Sequence, residues 1–127
     1  MRTILAMRLD TTPLSDREYH IRTDAVLASI ETAVDRWLQD DLIDIDSHRT
    51  GGLLELAFPD GSKIVVNTQP PLHELWLATR GGGYHHRYVD GRWLDTRDDA
   101  DFFETLSKAA SEQGGQRLRF AAPATTA

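Results

Sequence analysis

The chain has 127 residues, with 20 acidic side chains against 14 Lys and Arg and no cysteine. That length supports one domain around one core, and the missing cysteines exclude disulfides, thiolate metal sites and a cysteine nucleophile. A net charge of −6 argues against nucleic acid, whose phosphates need a basic face, and no apolar run is long enough to cross a bilayer.

Residues 1–14, MRTILAMRLDTTPL, carry two arginines and an apolar patch. They lack the apolar core and small-residue cleavage site of a secretion signal. A flexible leader and a cytoplasmic protein are the expectation. From Ser15 to about Gln39 the spacing predicts a helix, with Ser15 as cap and Glu18 completing a capping box. Tyr19, Val26, Leu27, Ile30, Val34 and Trp37 share one helical stripe and are assigned to the core. His20, Asp24, Glu31 and Asp35 fall on the adjoining flank, where His20–Asp24 and Glu31–Asp35 each lie one turn apart. Between Asp16 and Asp46 nine acids meet three arginines, so this segment carries the whole excess charge. Cations and basic protein surfaces are therefore the expected partners.

In DDLIDIDSHRT, Asp44 and Asp46 alternate with Ile43 and Ile45, which predicts a half-buried strand continuing the acidic surface. GGLLELAF and SKIVVN, joined by a PDG turn, predict a hairpin with Leu54, Leu56, Phe58, Ile64 and Val66 inward. Pro70-Pro71 breaks the ladder. ELWLATR then places Leu75, Leu77 and Thr79 on the core face, and Trp76, Ala78 and Arg80 outside. Gly81, Gly82 and Gly83 are read as a turn, lacking the helix and lysine of a phosphate loop. Two further strands surround Asp90-Gly91, the first with Tyr84, His86 and Tyr88 on one face and His85 and Arg87 on the other. A second helix runs from a cap at Asp98 or Asp99 to about Gln113, burying Phe102, Phe103, Leu106 and Ala110 and stopping at Gly114-Gly115. The tail 121–127 is expected to be disordered. Helix, antiparallel strands and helix make an α+β two-layer sandwich with both helices on one sheet face.

The run GSKIVVNTQPPLHELWLATRGGGYHHRYVDGRWLDTR closely resembles the central sheet of the frataxin family, in its bacterial branch. The likeness extends from SDREYH, through DIDSHRTGGLLELAF, to FFETLSKAASEQGG, about Ser15 to Phe120. The resemblance implies binding of ferrous and ferric iron by surface carboxylates, which the absence of a ligand cage in the sequence predicts to be weak and labile. It also implies docking onto the cysteine desulfurase and its scaffold protein, and regulation of iron–sulfur cluster assembly, with an iron-chaperone role among the expectations. A monomer that forms metal-dependent oligomers is expected. Asp16, His20, Glu31, Asp35, Asp44 and Asp46 stand where the family places its acidic-ridge ligands, and Asp41 at the helix end is counted with them. Thr32 and Arg36 stand where bacterial members often have acids, and two extra residues lengthen the link near Leu38 to Leu42. His86 stands where an aromatic residue is common.

The residues bear on those expectations independently. Carboxylates are hard ligands for iron, calcium, magnesium or manganese, and two of them one turn apart can bridge an ion without forming a cage. The bland alternative is a solvated acidic face. Adjacent strand residues point to opposite faces, so His85 and His86 cannot ligate one ion together. His85 is read as outward beside Trp76, and His86 as partly buried packing. His48 and His73 are read as surface residues. Trp76 on the open face, flanked by Asn67, Gln69 and Arg80 and joined by His85, has the composition of an interface anchor. Catalysis is not expected. The alternative is a ferroxidase at paired carboxylates, for which His20, Asp24 and Glu31 form the one candidate cluster. A third reading is an acidic interaction module without a physiological metal.

Overall fold

A computed structural model of the chain describes residues 14–124. Helix α1 spans Asp16–Gln39 and starts with the expected capping box: Glu18 N donates to Ser15 Oγ, and Ser15 N to Glu18 Oε1, each at 3.1 Å. Its apolar stripe is buried as the 3.6-residue period requires, with Tyr19, Val26, Leu27, Ile30 and Val34 all at or below 2% exposure. Trp37 is only half-buried, packed at the margin of the core and tilted against Phe120 at 4.8 Å.

Six strands follow in simple succession: β1 Asp46–Thr50, β2 Leu53–Ala57, β3 Lys63–Gln69, β4 Glu74–Thr79, β5 Gly82–Val89 and β6 Arg92–Asp95. Each pairs antiparallel with the next, in the order β1-β2-β3-β4-β5-β6. The PDG turn closes the β2–β3 hairpin with Gly61 at φ +88° and Asp60 accepting from Ser62 N at 2.9 Å. Leu54 faces Val66 and Leu56 faces Ile64, so the alternating residues of both strands enter one core. Helix α2, Phe102–Gly114, ends at Gly115 in the left-handed conformation, φ +70°. Both helices cover the face bearing Leu54, Leu56, Ile64, Val66, Leu75 and Leu77.

The structure corrects several boundaries. The strand expected over Ile43–Asp46 begins only at Asp46, because β2 ends at Ala57 and Pro59 starts the turn. Ile43 and Ile45 nevertheless point inward, leaving Asp44 and Asp46 outside. Of the three glycines, Gly81 alone sits in the turn; Gly82 and Gly83 pair with Thr79 and Ala78 as the start of β5. The cap of α2 is Asp101 rather than Asp98 or Asp99. Its Oδ2 accepts from Phe103 N at 3.0 Å and Glu104 N at 3.2 Å. Asp98 and Asp99 lie in a tight loop closed by Asp99 N to Asp95 O and Asp95 N to Ala100 O.

Beyond α2 the chain returns along it. Ser107 and Ser111 each exchange two hydrogen bonds with the backbone of Phe120 and Leu118, which plug the core. Residues 122–124 line a cleft with Ile21, Trp93 and Phe103. The leader reading for 1–13 and the tail reading for 125–127 lie outside the described residues.

Candidate functional site

The acidic flank is less uniform than its sequence. Arg49 on β1 reaches over to α1, where its Nη2 pairs with Asp24 and its Nη1 with Glu31 Oε1 at 3.2 Å. The hydrogen bond to Asp24 foremost, and that to Glu31, hold the Arg49 guanidinium above its ordinary pKa, against its partial burial. Asp16 is engaged too, its Oδ1 lying 2.7 Å from His73 Nε2. His73 adopts φ +53° at the end of the 3-10 turn Pro70–Leu72 and stacks on Tyr19 at 4.8 Å. His20 is exposed and shares a shallow cleft with Asp16 and His73.

The distal part of the flank differs. Asp35, Asp40, Asp41, Asp44 and Asp46 are exposed, and none has an ion-pair partner among the described residues. Two forces arrange them. The end of α1 turns at Asp41, φ +56°, and the Ile43–Ile45 alternation buries apolar side chains and expels carboxylates. No three His, Asp or Glu side chains among the described residues converge as a metal centre. The structure therefore separates the expected ligands: Asp16 contacts the His73 ring and Glu31 is ion-paired with Arg49, whereas Asp35, Asp41, Asp44 and Asp46 are open. Open carboxylates of this kind offer hard oxygen donors, with water completing the coordination of any bound ion.

The outer sheet face is built by register. Leu53, Asn67, Trp76 and His85 stand opposite one another across β2, β3, β4 and β5. Trp76 is half-buried: its indole stacks on the His85 ring at 3.9 Å, 5° from parallel, and its Nε1 donates to Glu74 Oε1 at 2.8 Å. The indole is thus held in one orientation by His85 and Glu74. Gln69 faces Glu74, and its backbone N donates to Tyr19 Oη at 2.9 Å. Arg80 sits in the β4–β5 turn, where its Nη1 pairs with Asp60 Oδ2 at 3.1 Å. Of the residues expected on this face, Asn67, Trp76 and His85 form one row; Gln69 adjoins it, and Arg80 lies at its edge tied to the neighbouring turn.

Two of the buried polar residues bear on the chemistry of the sheet, and sequence reasoning understated one and missed the other. His86 is fully buried rather than partly buried, because its face of β5 lies beneath α2 against the Phe102 ring, 5.1 Å away. Its Nδ1 donates to Leu75 O at 3.3 Å, so Nε2 is a lone pair, and it has no partner. Burial lowers the His86 pKa; the Leu75 carbonyl and the carboxylates of Asp95, Asp101 and Asp98 pull the other way without overcoming it. Burial pushes Asp95 upward, but the backbone N–H of Arg97 at 2.7 Å and its guanidinium outweigh this and hold Asp95 below its ordinary value. The register could have found Asp95, since it lies two residues from inward Trp93; no local signal marks the loop that satisfies it.

A family model described as a frataxin-like domain matches residues 12–116. The chain is similar to the iron-sulfur cluster assembly protein CyaY of Polaromonas sp., 46% identical over 110 residues, covering 87% of this chain and 95% of the relative. Among solved structures it is similar to frataxin from Psychromonas ingrahamii, with TM-score 0.76 and 32% identity over 85% of this chain and 99% of that one. A trimeric frataxin from the yeast Saccharomyces cerevisiae, complexed with ferrous iron, shares the fold at TM-score 0.64 and 21% identity, covering 75% of this chain and 87% of that one.

Proposed function

This chain belongs to the frataxin-like family, and from that premise we propose that it serves iron–sulfur cluster assembly as a non-catalytic, iron-binding regulator. Iron, ferrous or ferric, is cargo here. It is received at the open carboxylates Asp35, Asp41, Asp44 and Asp46 and held weakly, with water filling the rest of its coordination shell. The cysteine desulfurase and its scaffold dock on the outer sheet face around Asn67, Trp76 and His85. The acidic flank steers that encounter toward basic surface on the enzyme.

The observation that carries the reading is the cluster of carboxylates at the end of α1 and the start of β1 that have no ion-pair partner among the described residues, in the segment that holds the whole excess charge. The iron–sulfur assembly role of the Polaromonas relative and the ferrous complex of the yeast protein support it. A ferroxidase would need two metals in a protected site. The candidate trio for one is divided: Arg49 engages Asp24 and Glu31, and His20 points to solvent.

Titration of the purified chain with ferrous iron under anaerobic conditions, followed by NMR, tests the metal half. Amide resonances of Asp35, Asp44 and Asp46 are expected to broaden first, and Asp44→Asn with Asp46→Asn is expected to remove most of that effect. Broadening spread evenly over the surface, or unchanged in the double variant, would overturn it.

A further inference from the structure

We infer that Arg49 is a tethered counterion that closes the Asp24–Glu31 portion of the flank to metal, so that cations enter only at the distal end. The inference rests on the flank being the cation-receiving surface and assigns which part of it is open.

Asp24 and Glu31 are seven residues apart, two turns of helix, so both project from one side of α1 about 10 Å apart along its axis. A single small cation reaches both carboxylates only when their side chains swing toward one another. A planar guanidinium on a long stem spans the distance, and its fork offers a separate nitrogen to each carboxylate. Arg49 uses that geometry, giving Nη2 to Asp24 and Nη1 to Glu31. Its Nε also faces Gly51 O at 3.4 Å, at the tip of the β1–β2 hairpin. The side chain is 26% exposed, and Glu31 33% exposed. The pair is thus partly withdrawn from solvent, where opposite charges interact more strongly than in bulk water.

The neighbourhood has room for another occupant. An open cleft bounded by His20, Thr23, Asp24, Leu27, Arg49 and Thr68 borders the ion pair. The Asp24 side chain is 68% exposed and free to swing toward Glu31 once the fork is gone. What keeps an ion out is the resident positive charge, which halves the net charge of the two carboxylates, occupies an oxygen of each and repels a divalent cation. Asp35, Asp44 and Asp46 have no such resident among the described residues.

Manganous ion, with chloride as the counterion, is the probe, read by paramagnetic broadening of side-chain carboxyl and backbone amide resonances. In the unsubstituted chain Asp24 and Glu31 are expected to stay sharp at concentrations that broaden Asp35, Asp44 and Asp46. In Arg49→Gln they are expected to broaden with the rest, with an apparent affinity at that end raised on the order of tenfold. Arg49→Lys, which keeps the charge, is expected to restore most of the exclusion. Simultaneous broadening of both ends in the unsubstituted chain would overturn the inference without any variant, and so would an Arg49→Gln profile identical to it. If no carboxylate in the unsubstituted chain broadens, the cation-receiving reading fails instead. The appearance of Asp24 and Glu31 in Arg49→Gln would then still support the exclusion.

Discussion

His86 shows how far a single side chain can depart from its pattern. The strand period places it inward correctly, yet a buried imidazole with one unpartnered nitrogen carries a desolvation cost that a phenyl ring would not. Its folded pKa is lowered by burial below the ordinary value of 6.5. As pH falls below that value, the unfolded chain takes up a proton that the folded chain resists, so stability present at neutral pH is lost toward acid. The paired carboxylates with lowered pKa values, Asp95 among them, titrate at lower pH and leave this window to the histidine. His86→Phe is expected to raise stability by about 1 kcal/mol at pH 7 and to flatten the decline in Tm between pH 7 and 5. Thermal melts across that range check it; a variant with the parent's pH profile would refute the assignment. Trp76 was legible as an outward residue from alternation alone. Its fixed orientation was not, because the stacking ring of His85 and the carboxylate of Glu74 come into place through register.

At the level of elements, the long amphipathic helix and the β2–β3 hairpin were readable because cap, period and turn residue agree on them. α2 was readable in its buried stripe but not in its start. Four acids, Asp95, Asp98, Asp99 and Asp101, compete for the role of cap, and each can satisfy backbone donors in a turn. Pairing of β6 with β5, with the isolated bridge from Leu94 to Asp101, decides among them by fixing where the chain can leave the sheet. Asp101→Ala is expected to cost about 1 to 2 kcal/mol, measured as a lower urea midpoint at unchanged slope. Asp98→Ala is expected to cost distinctly less, since its side chain accepts only from Ala100 N in an exposed loop. Equal losses would mean that the loop, not the cap, holds the helix start. β1 follows the same logic: alternation identified its inward residues, while the length of its partner set where pairing begins.

For the whole molecule, the two proposed surfaces are separate because a sheet covered by helices on one side leaves its other side for partners. The carboxylates gather at the end of α1 and the start of β1, and the indole row crosses the middle of the open face. Trp76→Ala is expected to weaken binding to the desulfurase–scaffold complex by about 2 kcal/mol, read by calorimetry. Added salt is expected to slow association of the parent and the variant alike, because steering depends on the unaltered acidic flank. An affinity unchanged by the substitution would remove this face from the docking proposal. His85→Ala, which deletes the stacking partner and leaves the indole, is expected to give a smaller loss in the same direction.

Local pattern alone was enough for the fold class, the core stripe of each element, the face to which Trp76 belongs and the segment that holds the excess charge. These follow from periodicities of 2 and 3.6 residues and from counting, which need only neighbouring positions. Which acids stand free depended on packing between distant segments. Arg49 lies 25 residues from Asp24 and 18 from Glu31, and His73 lies 57 from Asp16. No local pattern announces pairings across such separations. They arise because packing α1 on the sheet carries β1 and the Pro70–Leu72 turn against its flank, and charge then pairs with whatever packing has brought within reach.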